Sequence, residues 1–141
     1  MTRGAVPPPL GGELLMSALD DAFDAVVITT ANLDPPGPTI VYVNRAFERM
    51  TGYSAQEALG NTPRMLQGAG TERRVLDELR GCLGAGRRFA GRVVNYRKDG
   101  SAFRLEWRVS PVRDAKGRIT HWISFQREVG ASRPESSRSA R

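Results

Sequence analysis

The sequence predicts an α+β fold, a five-stranded antiparallel sheet with short helices packed on one face. Three observations point to it. Residues 88–97, 102–112 and 118–129 alternate apolar and polar side chains with period two. Two short β-branched runs, Val26-Val27-Ile28-Thr29-Thr30 and Ile40-Val41-Tyr42-Val43-Asn44, stand earlier in the chain. Between these groups the apolar spacing and the capping residues are those of short helices.

In chain order, residues 13–23 place Leu14, Leu15, Ala18 and Phe23 among acidic residues and predict a short amphipathic helix leading into the domain. The first strand follows. Residues 31–38 hold three prolines and a glycine and must form a loop before the second strand. Residues 45–51 make two helical turns that Gly52 stops, and Ser54-Ala55-Gln56-Glu57 has the pattern of a capping box, in which Ser54 and Glu57 satisfy each other's exposed amides. Thr71 is expected to cap a longer helix over residues 72–83, with Val75, Leu76, Leu79 and Leu83 on one face and Gly84 and Gly86 ending it. The last three strands are joined by Lys98-Asp99-Gly100 and Ala115-Lys116-Gly117, which makes them a meander. In the middle strand Phe103, Leu105, Trp107 and Val109 face the core, and Arg104, Glu106, Arg108 and Ser110 face water.

Two amides break this division. Asn95 is in phase with Phe89 and Val93, and Gln126 with Trp122 and Ser124, while Ile123 and Phe125 point the other way. A buried amide left without partners costs about 1–3 kcal/mol, so each must meet backbone, buried water or a ligand edge that both donates and accepts. Spacing alone leaves these choices open, together with a bulge that would reverse the phase.

Composition bounds the rest. At 141 residues the chain is long enough for one self-sufficient domain. It is divided here into an N-terminal extension with part of the first helix (1–17), the domain (18–129) and a disordered Ser/Arg-rich tail (130–141). The single cysteine, Cys82, excludes an internal disulfide and a Cys-rich zinc site. The net charge of +6 is partly in the tail and otherwise mixed with acids, which fits a solvated basic surface better than a nucleic-acid site. No apolar run is long enough for a membrane span and no signal peptide pattern is present, so a cytoplasmic protein is expected. The lone histidine, His121, falls on the outer face with no nucleophile nearby, and no acidic cluster has metal-ligand spacing. The chain is therefore expected to have no enzymatic activity and no metal.

The element order, with Ile40-Val41-Tyr42-Val43-Asn44-Arg45-Ala46-Phe47, Thr51-Gly52-Tyr53-Ser54 and Asn95-Tyr96-Arg97-Lys98-Asp99-Gly100, resembles the PAS superfamily over residues 18–129. Gly60-Asn61-Thr62-Pro63-Arg64-Met65-Leu66-Gln67 resembles the flavin-binding signature of the LOV (light-oxygen-voltage) photoreceptors within it. The proline-rich loop at 33–38 is similar to theirs as well.

That resemblance implies a bound flavin, FMN or else FAD or riboflavin. It makes Arg64 and Arg80 clamps on the phosphate, a task suited to an always-charged planar fork of donors. It places Gln67 on the ribityl chain, Asn95 at the pyrimidine edge and Gln126 at the O4 and N5 region, where the amide reads the state of the ring by reorienting. Taken by themselves, the arginines also fit ordinary surface positions and Gln67 a helix-end amide. The chain departs from the LOV pattern at three positions. Thr62 and Leu105 stand where that family has asparagines, and Pro63 stands where it has the photoactive cysteine, so no cysteinyl-flavin adduct can form there. Any light or redox response would then go through flavin reduction, with Trp107, Trp122 or Tyr42 as electron donor; core packing is the simpler role for both tryptophans. Ile123 and Phe125 predict a docking surface on the sheet for the N-terminal helix or a second subunit, hence a homodimer. The alternative function is a flavin-free interaction or dimerisation module, or a sensor of a small metabolite.

Overall fold

A computed structural model describes residues 11–130. The segment before residue 11 and the tail beyond Gly130 lie outside the described residues, and so do most of the expected extension and tail. The elements are α1 (Gly12–Asp20), β1 (Ala25–Thr30), β2 (Ile40–Val43), α2 (Arg45–Thr51), α3 (Ala55–Ala58), a 3-10 helix (Pro63–Leu66), α4 (Arg73–Gly84), β3 (Phe89–Tyr96), β4 (Ala102–Arg113) and β5 (Ile119–Glu128). The strands form one antiparallel sheet in the order β2-β1-β5-β4-β3. The meander therefore makes one half of the sheet and the two early strands the other, with β5 at the join.

Strand alternation decides which side chains meet the helices. In β4 the inward set Phe103, Leu105, Trp107 and Val109 is buried, and the intervening Arg104, Glu106 and Arg108 are exposed, as the spacing predicts. These residues join Phe89, Val93, Trp122 and α4's Val75 and Leu83 in one core cluster. Phe89 and Trp107 meet at 5.1 Å between ring centroids, tilted by 60°, an arrangement that favours the edge-and-face charges of the rings. A second cluster packs α2 and α3 on β1 and β2, around Phe47 and Ile40.

The expected capping box at α3 is present. Ser54 Oγ accepts from the Glu57 amide at 3.1 Å and Glu57 Oε1 accepts from the Ser54 amide at 2.9 Å. Gly52 ends α2 at φ 82°, in the left-handed region that a side chain would disfavour, and its N–H closes the helix on the Glu48 carbonyl at 2.9 Å.

Two local expectations are corrected. The first helix stops at Asp20 rather than reaching Phe23; at its end the Leu19 carbonyl accepts from Asn44 Nδ2 at 2.8 Å and Asp20 pairs with Arg45 Nε at 2.7 Å, and Phe23 beyond it is 77% exposed. Thr71 does not cap α4. The N-cap is Glu72, with no side-chain bond, while Thr71 Oγ1 accepts from the Gly68 amide at 2.9 Å and donates to the Val94 carbonyl at 2.6 Å. It ties the loop before α4 to β3, and Tyr96 Oη, accepting from the Gly70 amide at 2.7 Å, reinforces the tie. A Cβ at Gly68 would lie 2.5 Å from the Tyr96 ring, so this close approach requires glycine. Among the described residues no helix is long and apolar enough to cross a membrane.

Candidate functional site

Between the sheet and α4, where the two core clusters meet, lies a cavity of ≈ 220 Å³. Its floor comes from β1, β4 and β5, its roof from Leu76, Leu79 and Leu83 of α4, and its rim from the 3-10 helix and loop 31–39. That volume is below the roughly 300–1,000 Å³ of sites that enclose a drug-sized ligand. The rim side chains Arg64 and Arg80 line it and are both bonded to the Leu33 carbonyl, so a ligand that used their guanidinium groups would have to displace those bonds.

The sequence signature places its residues unevenly. Arg64, Gln67, Arg80 and Gln126 line the cavity together with Pro63, Trp107 and Trp122. Asn95 is buried on the inner face beside its cross-strand partner Phe103, and Leu105 belongs to the apolar core; neither is part of the cavity lining. Thr62 caps the 3-10 helix, its Oγ1 accepting from the Arg64 amide at 3.0 Å. Gln67 follows that helix at the exposed mouth. Tyr42 is paired in register with Ile28, and Ile28 with Ile123, so it stands on the outer face, across the sheet from the cavity. Its buried hydroxyl has no partner, and burial first, then the Asp20 carboxylate, raises its pKa.

Gln126 is the polar centre of the floor. It is 6% exposed, and strand β5 turns it to the same side as Ser124 and Trp122. Its Nε2 donates to Ser124 Oγ at 2.9 Å, and its Oε1 is buried with no partner. A serine hydroxyl accepts as readily as it donates, so Ser124 can hold either end of the amide and leave the other to the cavity. Trp107 is the cross-strand partner of Gln126, and Trp122 anchors its Nε1 on the Ala31 carbonyl at 3.3 Å. The two tryptophans thus serve in the core and in the cavity wall at once.

The rim is cationic and tethered. Arg64 Nη1 donates to the Gly37 carbonyl and its Nη2 to the Leu33 carbonyl at 3.1 Å. Arg80 Nη1 donates to the same Leu33 carbonyl at 3.0 Å, and its Nη2 pairs with the Asp34 carboxylate. Arg73 lines the same wall. Ser124 was visible in the sequence as a neighbour in phase with Gln126, but nothing there assigned it a bond. Asp34 gave no signal, because its partner is 46 residues away.

A five-stranded antiparallel sheet in this order, with short helices on one face and a cavity beneath the long helix, defines an α+β domain built around a small binding space. Comparison with known proteins agrees: the PAS domain family model matches residues 24–131, and the chain belongs to that family. Its homologues are LOV domains. The chain is 35% identical over 127 residues to phototropin-1A of Oryza sativa subsp. japonica, covering 90% of this chain and 14% of that protein. It is 35% identical over 126 residues to a blue-light-activated histidine kinase of Brucella abortus, covering 86% of this chain and 26% of that protein. Among solved structures, the light state of the Aureochrome1 LOV domain superposes with a TM-score of 0.72 at 38% identity, covering 82% of this chain and 89% of that one. An RNA-binding light-oxygen-voltage receptor superposes with a TM-score of 0.80 at 36% identity, covering 92% of this chain and 36% of that one. The chain thus spans only a small part of the phototropin and kinase relatives, and what it shares with them is a sensory domain of LOV type.

Proposed function

We propose that the cavity holds a flavin non-covalently, FMN before FAD or riboflavin, and that the domain signals in the cytoplasm by binding rather than by catalysing a reaction. The unpartnered Gln126 Oε1 on the cavity floor carries this reading, because a buried acceptor left alone costs about 1–3 kcal/mol, and a ring with acceptors at O4 and N5 lets the amide turn so that Nε2 donates to the ring while Ser124 Oγ donates to Oε1. The wall chemistry agrees with it. Trp107, Trp122 and Leu79 offer apolar surface to a ring system, and Arg64 and Arg80 offer guanidinium forks at the mouth. A bound flavin supplies absorption of blue light and electron transfer. The protein's part is to exclude water, present a reorienting amide and hold an aromatic donor beside it; Trp107, opposite Gln126, is better placed for that than Tyr42 on the far face. Pro63 brings no thiol to the cavity, so this reading has no covalent step at that position.

Purified protein incubated with FMN should retain, through gel filtration, the blue absorption band and green fluorescence of a flavin. Failure to retain FMN, FAD or riboflavin would leave a flavin-free interaction module or small-metabolite sensor as the better function. The small cavity, and a rim whose arginines already bind the loop, are the features that favour that second reading.

For the signalling surface, α1 buries none of its residues and exposes Leu14, Leu15 and Met16, while Ile123 and Phe125 lie half-buried on the outer sheet face. Apolar residues on both elements suit a homodimer in which these surfaces meet. Replacing Leu14 and Leu15 together by serine should reduce the mass measured by light scattering from dimer to monomer. A parent protein that is already monomeric at high concentration would exclude the homodimer.

A further inference from the structure

The rim arginines are occupied by one short stretch of chain, residues 33–37, through two carbonyls and a carboxylate. Asp34 is the only charged residue in loop 31–38 and puts a full negative charge on Arg80. The loop holds that carboxylate near the rim by two bonds of its own: the Asp34 amide donates to Asn32 Oδ1 at 3.1 Å, and the Asp34 carbonyl accepts from the Gly37 amide at 2.8 Å.

We propose that Asp34 is a built-in anion that occupies Arg80 in place of a ligand's phosphate and thereby sets the preference of the site between phosphorylated and unphosphorylated flavins. This rests on the flavin reading of the cavity. Carboxylate and phosphate oxygens compete for the same guanidinium fork. The Arg80 and Asp34 side chains are 54% and 76% exposed, so their pair is weak enough for a phosphate to displace. Displacement does not remove the carboxylate, because the loop bonds keep its backbone in place. A phosphate on Arg80 therefore sits close to a like charge. Asp34 penalises FMN relative to riboflavin, which has the same ring and ribityl chain without the phosphate.

Asp34→Asn keeps the size of the side chain and an oxygen for Arg80 while removing the charge. Dissociation constants for FMN and riboflavin, read by flavin fluorescence on the full chain, give the ratio that isolates the phosphate. The variant should bind FMN about five- to tenfold more tightly than the parent, with riboflavin changed less than about twofold and the difference shrinking in high salt. Equal FMN-to-riboflavin ratios in the two proteins would overturn the role of Asp34 while leaving the flavin site intact. Inorganic phosphate supplies a probe that needs no flavin: it should raise the thermal midpoint of Asp34→Asn more than that of the parent. If neither flavin binds but phosphate still discriminates between the proteins, the anion competition stands and the flavin reading falls. If phosphate stabilises both equally and no flavin binds, both fall.

Discussion

Replacing Asn44 by alanine is expected to lower the unfolding free energy by about 3–5 kcal/mol, measured as the shift of the urea transition. The side chain is 1% exposed and its amide is fully used. Oδ1 accepts from the Val26 amide at 2.8 Å and the Phe47 amide at 3.1 Å, and Nδ2 donates to the carbonyls of Leu19 at 2.8 Å and Asp24 at 3.0 Å. One residue therefore caps α2, closes the end of β1 and pins the end of α1 to the domain. Truncation removes all four bonds and leaves the Val26 and Phe47 amides, which sit in buried surroundings, without Oδ1. Asn44→Asp should do no better, since its second oxygen would face the two carbonyls that now receive N–H groups. Amide exchange in α1 should accelerate along with the loss of stability. A shift below about 1 kcal/mol would mean that water replaces the amide at this junction.

Asn44 also marks the limit of what the sequence tells. The strand pattern correctly includes its neighbours, and Arg45 to Thr51 forms a helix as expected, but the side chain's partners at Leu19 and Asp24 are 25 and 20 residues away. Period-two spacing was sufficient for the middle of the sheet because each face keeps one environment over residues 102–109 of β4 and 122–126 of β5, so phase alone assigns Trp107, Trp122 and Gln126 to the inside; it fails at the far end, where the register shifts after Val112 and Ile119 packs on the core. The Ser54–Glu57 box was legible because both partners lie within one helical turn. Thr71 is a favoured cap residue type but has Arg74, not a glutamate, three residues on, and its hydroxyl bonds Val94, 23 residues away, in place of the helix start. In the site, the residue types at Arg64, Arg80 and Gln126 could be read, but their partners could not. Leu33 and Gly37 present backbone carbonyls, which leave no trace in residue identity.

Introducing a thiol at position 63 is expected to give the largest change in light response. Pro63 opens the 3-10 helix, where a missing N–H costs nothing, and the cap on that helix runs from Thr62 Oγ1 to the Arg64 amide, so it survives replacement. Pro63→Cys should therefore fold, losing about 0.4–1 kcal/mol through the added freedom of the unfolded chain. The side chain at this position lines the cavity floored by Gln126. In flavin-loaded Pro63→Cys protein, illumination should bleach the blue absorption band and darkness should restore it, as the thiol adds to the ring and leaves again. The parent protein should show no such cycle although it contains Cys82. That cysteine is half-buried on α4, packs against the core cluster and is not in the cavity lining. Pro63→Cys combined with Cys82→Ser should cycle as the single variant does. A loaded Pro63→Cys protein that does not bleach would mean that the ring is not seated against the 3-10 helix, and the flavin would then have to be placed elsewhere than over Gln126. Bleaching in the parent that Cys82→Ser abolishes would show that α4 moves far enough to bring its own thiol into the cavity.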